Sequence, residues 1–172
     1  YRSSDLVEWE GPYEIFRKPE DFFADRNYWA PECYFYEGAF YLVTTFGSGE
    51  GKKGIYILRA ERPEGPFDVY SERVTPVDWP CIDGTLYWED VVPYLIFSHS
   101  FEDTPDGDMC LMELTKDLRT GVSEPIVLFL AAEAKWARPV PFAEAEFGMK
   151  GPVYFTDGPC LMRMTDRTLY MT

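Results

Sequence analysis

The stretch "YWAPECYFYEGAFYLVTTF", residues 28–46, decides how the chain is read. It is rich in aromatic and β-branched residues, and Glu37-Gly38 sits at its middle as a short turn. That pattern is a β-hairpin. The form returns in "CIDGTLYWEDVVPYLIFSH" (81–99) and in "FTDGPCLMRMTDRTLYMT" (155–172). Each copy opens on polar or aromatic residues with a small residue, runs into an apolar strand and turns. A second strand carrying a Tyr-apolar pair follows. Asp166 and Arg167 make the turn of the third copy, and the turn of the second, Glu89 to Pro93, lacks the usual Gly.

A second motif lies between these hairpins. "YRSSDLVEWEGPYEIF" (1–16) aligns with "IYILRAERPEGPFDVY" (55–70), since both run strand, polar break, then Gly-Pro-aromatic. In "MCLMELTKDLRTGVSEPIVLF" (109–129), Lys116-Asp117-Leu118 echoes Ser4-Asp5-Leu6. The repeat length of roughly 54 residues is that of propeller blades or solenoid units. Helical periodicity is scarce. The one helix-like segment, 124–137, carries Pro125 and a β-branched run, which favour a strand ending near Leu130. "GSGEGKKG" (47–54) reads as a hairpin connection and not a phosphate loop, because no helix follows it.

The expectation is therefore an all-β chain of four-stranded units, the blades of a β-propeller. About three units are present, and a closed ring needs at least four. The whole chain, 1–172, is thus expected to be part of a single propeller domain that lacks sequence at both ends.

At 172 residues, 46% hydrophobic and 17% aromatic, the chain has a real core and is neither disordered nor fibrous. Its net charge of −14 repels nucleic acid and anionic membranes, so neither is expected as a partner; neutral ligands remain open. Cys33, Cys81, Cys110 and Cys160 form no CxxC pair and are expected as free, buried thiols, which leans toward a reducing compartment.

In a propeller the innermost strands surround a central channel, and their opening residues meet at one mouth. Those openings are Trp29-Ala30-Pro31-Glu32, Ile82-Asp83-Gly84 and Thr156-Asp157-Gly158-Pro159. Two of them place an acid at the same register, Asp83 and Asp157. Paired carboxylates in one cleft are what glycoside hydrolysis requires, although Asp-Gly also simply makes tight turns. Trp29 offers a flat face for a sugar or a core anchor. Trp136 and Arg138 are loop candidates for substrate contact. His99, the single histidine, reads as a structural residue or as a sugar or ion contact near the channel.

The ordered set "SSDLVEWEGP" (3–12), 28–46, "ERPEGPF" (61–67), "CIDGTLYWED" (81–90), "KDLRTGVSEPIVLF" (116–129) and "TDGPCL" (156–161) resembles glycoside hydrolase family 43. The resemblance implies a five-bladed propeller acting on pentose-containing oligo- or polysaccharides, cleaving α-L-arabinofuranosyl or β-D-xylosyl linkages with inversion. It implies that Asp83 modulates the pKa of the general acid, and that Asp157 stands in the register of the acid, where the family commonly has Glu. Glu133, in "AAEAKWARP", is the rival acid. Trp29 and Pro31, in the "WAPE" stretch, are candidate substrate contacts. The general base is expected upstream of Tyr1, so the isolated segment is expected to be inactive. No organic cofactor is implied; some members hold a calcium ion at the propeller centre, and no ligand cluster for it is visible in this sequence. The competing expectation is a non-catalytic, carbohydrate-binding propeller.

Overall fold

The 28–46 hairpin forms and turns at Glu37-Gly38, whose φ angles of 45° and 83° are those of a tight two-residue turn. A computed structural model describes residues 1–49 and 51–172; Glu50, within the 47–54 connection, lies outside the described residues. The first sheet is β1 (Arg26–Tyr36), β2 (Ala39–Ser48), β3 (Gly51–Ala60) and β4 (Asp68–Val69). The second is β5 (Cys81–Glu89), β6 (Val92–His99), β7 (Asp108–Glu113) and β8 (Ile126–Leu130). Both are antiparallel meanders with strands in sequence order, the form of propeller blades. A hairpin of β9 (Leu161–Arg163) and β10 (Leu169–Met171) opens a third unit. The Gly-less turn between β5 and β6 is carried by Asp90 at φ 55°, since Asp tolerates the left-handed region.

The repeat is visible in the backbone. Leu6 and Leu118 both sit at φ 65°, each after an Asp whose carboxylate accepts backbone N–H bonds. Their surroundings differ: Leu118 is fully buried and Leu6 is 79% exposed. The strand reading of the 124–130 region holds, as β8, and the chain leaves it through a 3₁₀ turn at Ala131–Glu133. A short helix that the sequence did not announce, α1 (Ala143–Phe147), follows and ends at Gly148 with φ 70°.

The core lies between the two sheets. Val43, Ile55 and Ile57 of the first pack against Leu86, Leu95, Phe97 and Cys110 of the second. Close approach depends on Gly84, where an added Cβ would stand 2.9–3.0 Å from Ile55, Leu95 and Val43. Gly84→Val is therefore expected to cost about 1–3 kcal/mol, read as a lowered urea midpoint. All four cysteines are free. Cys81 and Cys110 are buried as expected, and burial pushes their thiols up to about 12. Cys33 and Cys160 are exposed instead, on β1 and just before β9.

Candidate active site

Each inner strand bends at its start. On β5, Ile82 faces Ser98 and Thr85 faces Ile96, so Asp83 and Gly84 together oppose Phe97 alone. On β1, Trp29 faces Thr45 and Glu32 faces Val43, so Ala30 and Pro31 oppose Thr44. These are matching β-bulges, with Asp83 at φ 56° and Ala30 at φ 43°. A bulge re-aims the side chains around it. The first unit thus has an alanine where the second has its acid.

Asp83 is only 9% exposed. Its N–H donates to Thr45 Oγ1 of the first sheet at 3.2 Å, and its Oδ2 accepts the Gly158 N–H at 3.2 Å. The same Gly158 N–H also lies 3.0 Å from Asp157 Oδ1, so the two carboxyl groups converge on one donor. The third opening is not a strand here: residues 155–160 are irregular and β9 starts at Leu161. They are held instead by side chains. Ser98 Oγ donates to the Thr156 carbonyl at 2.8 Å, and Thr156 Oγ1 donates to the Asp108 carbonyl at 3.1 Å. Tyr154 bridges to Asp106 in parallel fashion.

Two carboxyl groups in contact cannot both ionise at low cost. Burial, then the Asp157 carboxylate, push Asp83 up to about 7. The hydrogen bond from Asp83 in turn lowers Asp157. Asp83 is the deeper of the two, and burial is the first cause of its raised direction. The pair titrates as a unit, with its second proton lost near neutrality.

The pair opens into a cleft of about 920 Å³ that Trp29, Lys53, Phe101 and Phe155 also line. Lys53 Nζ lies 5.1 Å over the Trp29 ring and pairs with Glu102 at 2.8 Å. Asp157 borders a second cleft of about 670 Å³, which contains Trp136 and Arg138. The structure therefore gathers Trp29, Asp83 and Asp157 in one place and joins Trp136 and Arg138 to Asp157 in another.

Pro31, Glu133 and His99 line neither cleft. Pro31 and Glu133 are exposed. His99 is buried, stacked on Trp79 at 4.3 Å, with Nε2 at 2.7 Å from Asp103 and Nδ1 at 3.1 Å from Asp108. Both ring nitrogens are occupied, so His99 braces the loop after β6. Among the described residues no group of three or more His, Cys, Asp or Glu side chains is placed to hold a metal ion.

Sequence reasoning missed Lys52 and Lys53, Ser100 to Asp103, and Phe147, all of which line the first cleft. A topological signal existed for the first two groups. In an up-and-down sheet, the β2–β3 and β6–β7 connections lie at the same end as the starts of β1 and β5. Phe147 carried no such signal, because α1 is stabilised by where it packs.

A propeller sheet pair that presents proton-sharing carboxyls in a cleft with aromatic walls is the frame of a glycoside hydrolase. The family model of Glycosyl hydrolases family 43 matches residues 1–172, and the chain belongs to that family. It is 35% identical to an endo-arabinase of Bacteroides thetaiotaomicron, with a TM-score of 0.81 over 91% of this chain and 54% of that one. It is 28% identical over 100 residues, 51% of this chain and 18% of the relative, to a non-reducing end α-L-arabinofuranosidase of Bacteroides ovatus. An endo-1,4-β-xylanase of Bacteroides thetaiotaomicron shares the fold, with a TM-score of 0.55 at 22% identity over 83% of this chain and 43% of that one. The chain thus spans about half the endo-arabinase structure and under a fifth of the arabinofuranosidase.

Proposed function

We propose that the full-length protein hydrolyses α-L-arabinofuranosyl or β-D-xylosyl linkages in plant oligo- or polysaccharides, by an inverting acid/base mechanism. The observation that carries this is the Asp83–Asp157 pair. Carboxyls that converge on one N–H leave no room for an anomeric carbon and a water between them. The acid and base of an inverting enzyme stand roughly 6.5–9.5 Å apart. The two are therefore one proton-holding unit and not an acid–base couple. Asp157, the exposed member, delivers the proton to the leaving oxygen, and Asp83 is the buried group that stores it. Water activation needs a further carboxylate. Glu102 and Asp103 line the same cleft, but each is ion-paired with a lysine. The base belongs to the part of the relatives' length that this chain does not span.

The expected result for Asp157→Asn in the full-length protein is a loss of about 10²–10⁴-fold in kcat/KM on arabino- or xylo-oligosaccharides. Glu133→Gln is expected to stay within about twofold, as for other exposed sites away from the chemistry. Loss of turnover in Glu133→Gln with turnover kept in Asp157→Asn would transfer the acid role to Glu133. One observation favours the non-catalytic alternative: the exposed carboxyl of the pair is the one whose pKa is lowered, which makes it the poorer donor near neutrality. Saccharide binding without hydrolysis by the full-length protein would decide for that reading.

A further inference from the structure

Backbone hydrogen bonds hold the stretch that carries Asp157 at its two ends: Tyr154 to Pro105 and Gly107, and Cys160 to Thr172. Side chains hold the residues between. Phe155 stacks on Phe101 with ring centres 4.0 Å apart and planes 14° from parallel, and Phe147 leans on Phe101 at 4.9 Å. Stacked rings slide over one another at little cost, so they set the plane of the stretch and not its register. The register is set at Thr156. Ser98 of β6 is fully buried, and its Oγ lies 2.8 Å from the Thr156 carbonyl oxygen and 2.7 Å from Thr156 Oγ1. Thr156 Oγ1 in turn reaches the Asp108 carbonyl of β7 at 3.1 Å. Two hydroxyls thus tie one residue to two strands of the second sheet. Gly107 makes room for this, since an added Cβ there would stand 2.9 Å from the Thr156 nitrogen. On the far side of Asp157, the Gly158 N–H is shared by the Asp83 and Asp157 carboxyls. Asp157 itself is exposed, so packing does little to hold its side chain.

We propose that the Ser98–Thr156 hydroxyl clasp is the positioning device of the proton donor. Thr156 adjoins Asp157 in the chain, and the clasp fixes it against β6 and β7, in the sheet whose β5 carries Asp83. The clasp therefore sets how closely the two carboxyls converge and how far the donor reaches. Proton transfer tolerates only roughly 2.6–3.2 Å between heavy atoms, and a misplacement of about 1 Å costs about 10²-fold. Thr156 is a positioning residue: it acts through Asp157 and not on the reacting atoms. This rests on the reading of Asp157 as the acid.

The test uses the full-length protein with Thr156→Val, which keeps the shape and removes the hydroxyl, and Thr156→Ser, which keeps the hydroxyl. Two substrates differ in their need for a proton. An arabino- or xylo-oligosaccharide has a sugar leaving group that must be protonated, whereas the dinitrophenyl glycoside of the same pentose loses its phenolate unaided. Thr156→Val should lose about 10–100-fold in kcat on the oligosaccharide. It should stay within about threefold on the dinitrophenyl glycoside, with KM within about twofold on both. Thr156→Ser should recover most of the loss. Gly107→Ala leaves both hydroxyls in place and displaces Thr156, so it should show the same leaving-group pattern. Equal losses on the two substrates, or equal losses in Thr156→Val and Thr156→Ser, overturn the proposal. Urea titrations supply a readout without turnover. Burial and then the Asp157 carboxyl raise Asp83, so stability falls as pH rises toward about 7. A loosened Asp157 should make the drop in urea midpoint from pH 5 to pH 8 smaller in Thr156→Val than in Thr156→Ser. An unchanged drop also overturns the proposal. A wild-type protein that hydrolyses neither substrate, while Thr156→Val shows the smaller drop, ends the hydrolase reading alone. Wild-type turnover with no leaving-group pattern in Thr156→Val ends this one alone.

Discussion

Asp83→Asn is expected to lower turnover of an aryl α-L-arabinofuranoside by the full-length protein about 10²–10⁴-fold, while making the fold more stable at pH 8. The opposite signs follow from one cause. Asp83 is buried beside another carboxyl, and its pKa is raised to about 7. A group raised in the folded state binds more protons there than in the unfolded chain. Its favourable contribution is therefore complete below the ordinary Asp pKa and is lost as pH rises to about 7. Asp157 is lowered and acts in the other direction, but only as pH falls below the ordinary Asp range. Stability is thus expected to decline between about pH 4 and pH 7, with Asp83 as the cause. Asparagine keeps the size, tolerates the positive φ at this bulge and carries no charge. The variant should show no such decline and gain about 1–2 kcal/mol at pH 8. Urea titrations at pH 5 and pH 8 measure this. Wild-type turnover should also fall above about pH 7, as the pair loses its last proton. Unchanged activity together with lower stability at pH 8 would make Asp83 a structural residue.

Phe97→Ala should be the most destabilising of these changes, by about 3–5 kcal/mol. Phe97 is fully buried on β6, within the core that joins the two sheets. It is also the single residue that opposes Asp83 and Gly84 across the bulge. Removing the ring leaves a cavity that two packed sheets cannot close. The urea midpoint should fall with an unchanged slope. Activity should fall as well, because the bulge that aims Asp83 loses its backing. Phe147→Ala, at an exposed ring, should change stability by less than about 0.5 kcal/mol. A loss below about 1 kcal/mol for Phe97→Ala would mean that the two sheets do not share this core.

Much of the architecture was legible because strands and turns are local. The two hairpin turns at Glu37-Gly38 and Asp166-Arg167, the strand nature of 124–130, and the repeat of Asp5-Leu6 in Asp117-Leu118 all follow from short-range stereochemistry. So does the common register of the openings at Trp29 and Asp83. The third opening was legible only in part. Its Asp157 was seen, but Thr156 to Cys160 form no strand, since Ser98 and Asp108 hold Thr156 by contacts distant in sequence. α1 and the aromatic wall were not legible at all. A five-residue helix has no sequence signature of its own, and Phe101, Phe147 and Phe155 meet only after the sheets pack.

By itself, the sequence determined that this chain is built of repeated four-stranded antiparallel units, and it put Asp83 and Asp157 at matching places in the repeated motif. Strand periodicity and turn chemistry act over a few residues, and a repeat needs only comparison. The tertiary structure alone decided which carboxyl of the pair lies deeper, that His99 is a brace, and that Glu133 stands apart from both clefts. Those outcomes depend on burial and on the neighbours of each group, and both are fixed only when segments up to 75 residues apart come into contact.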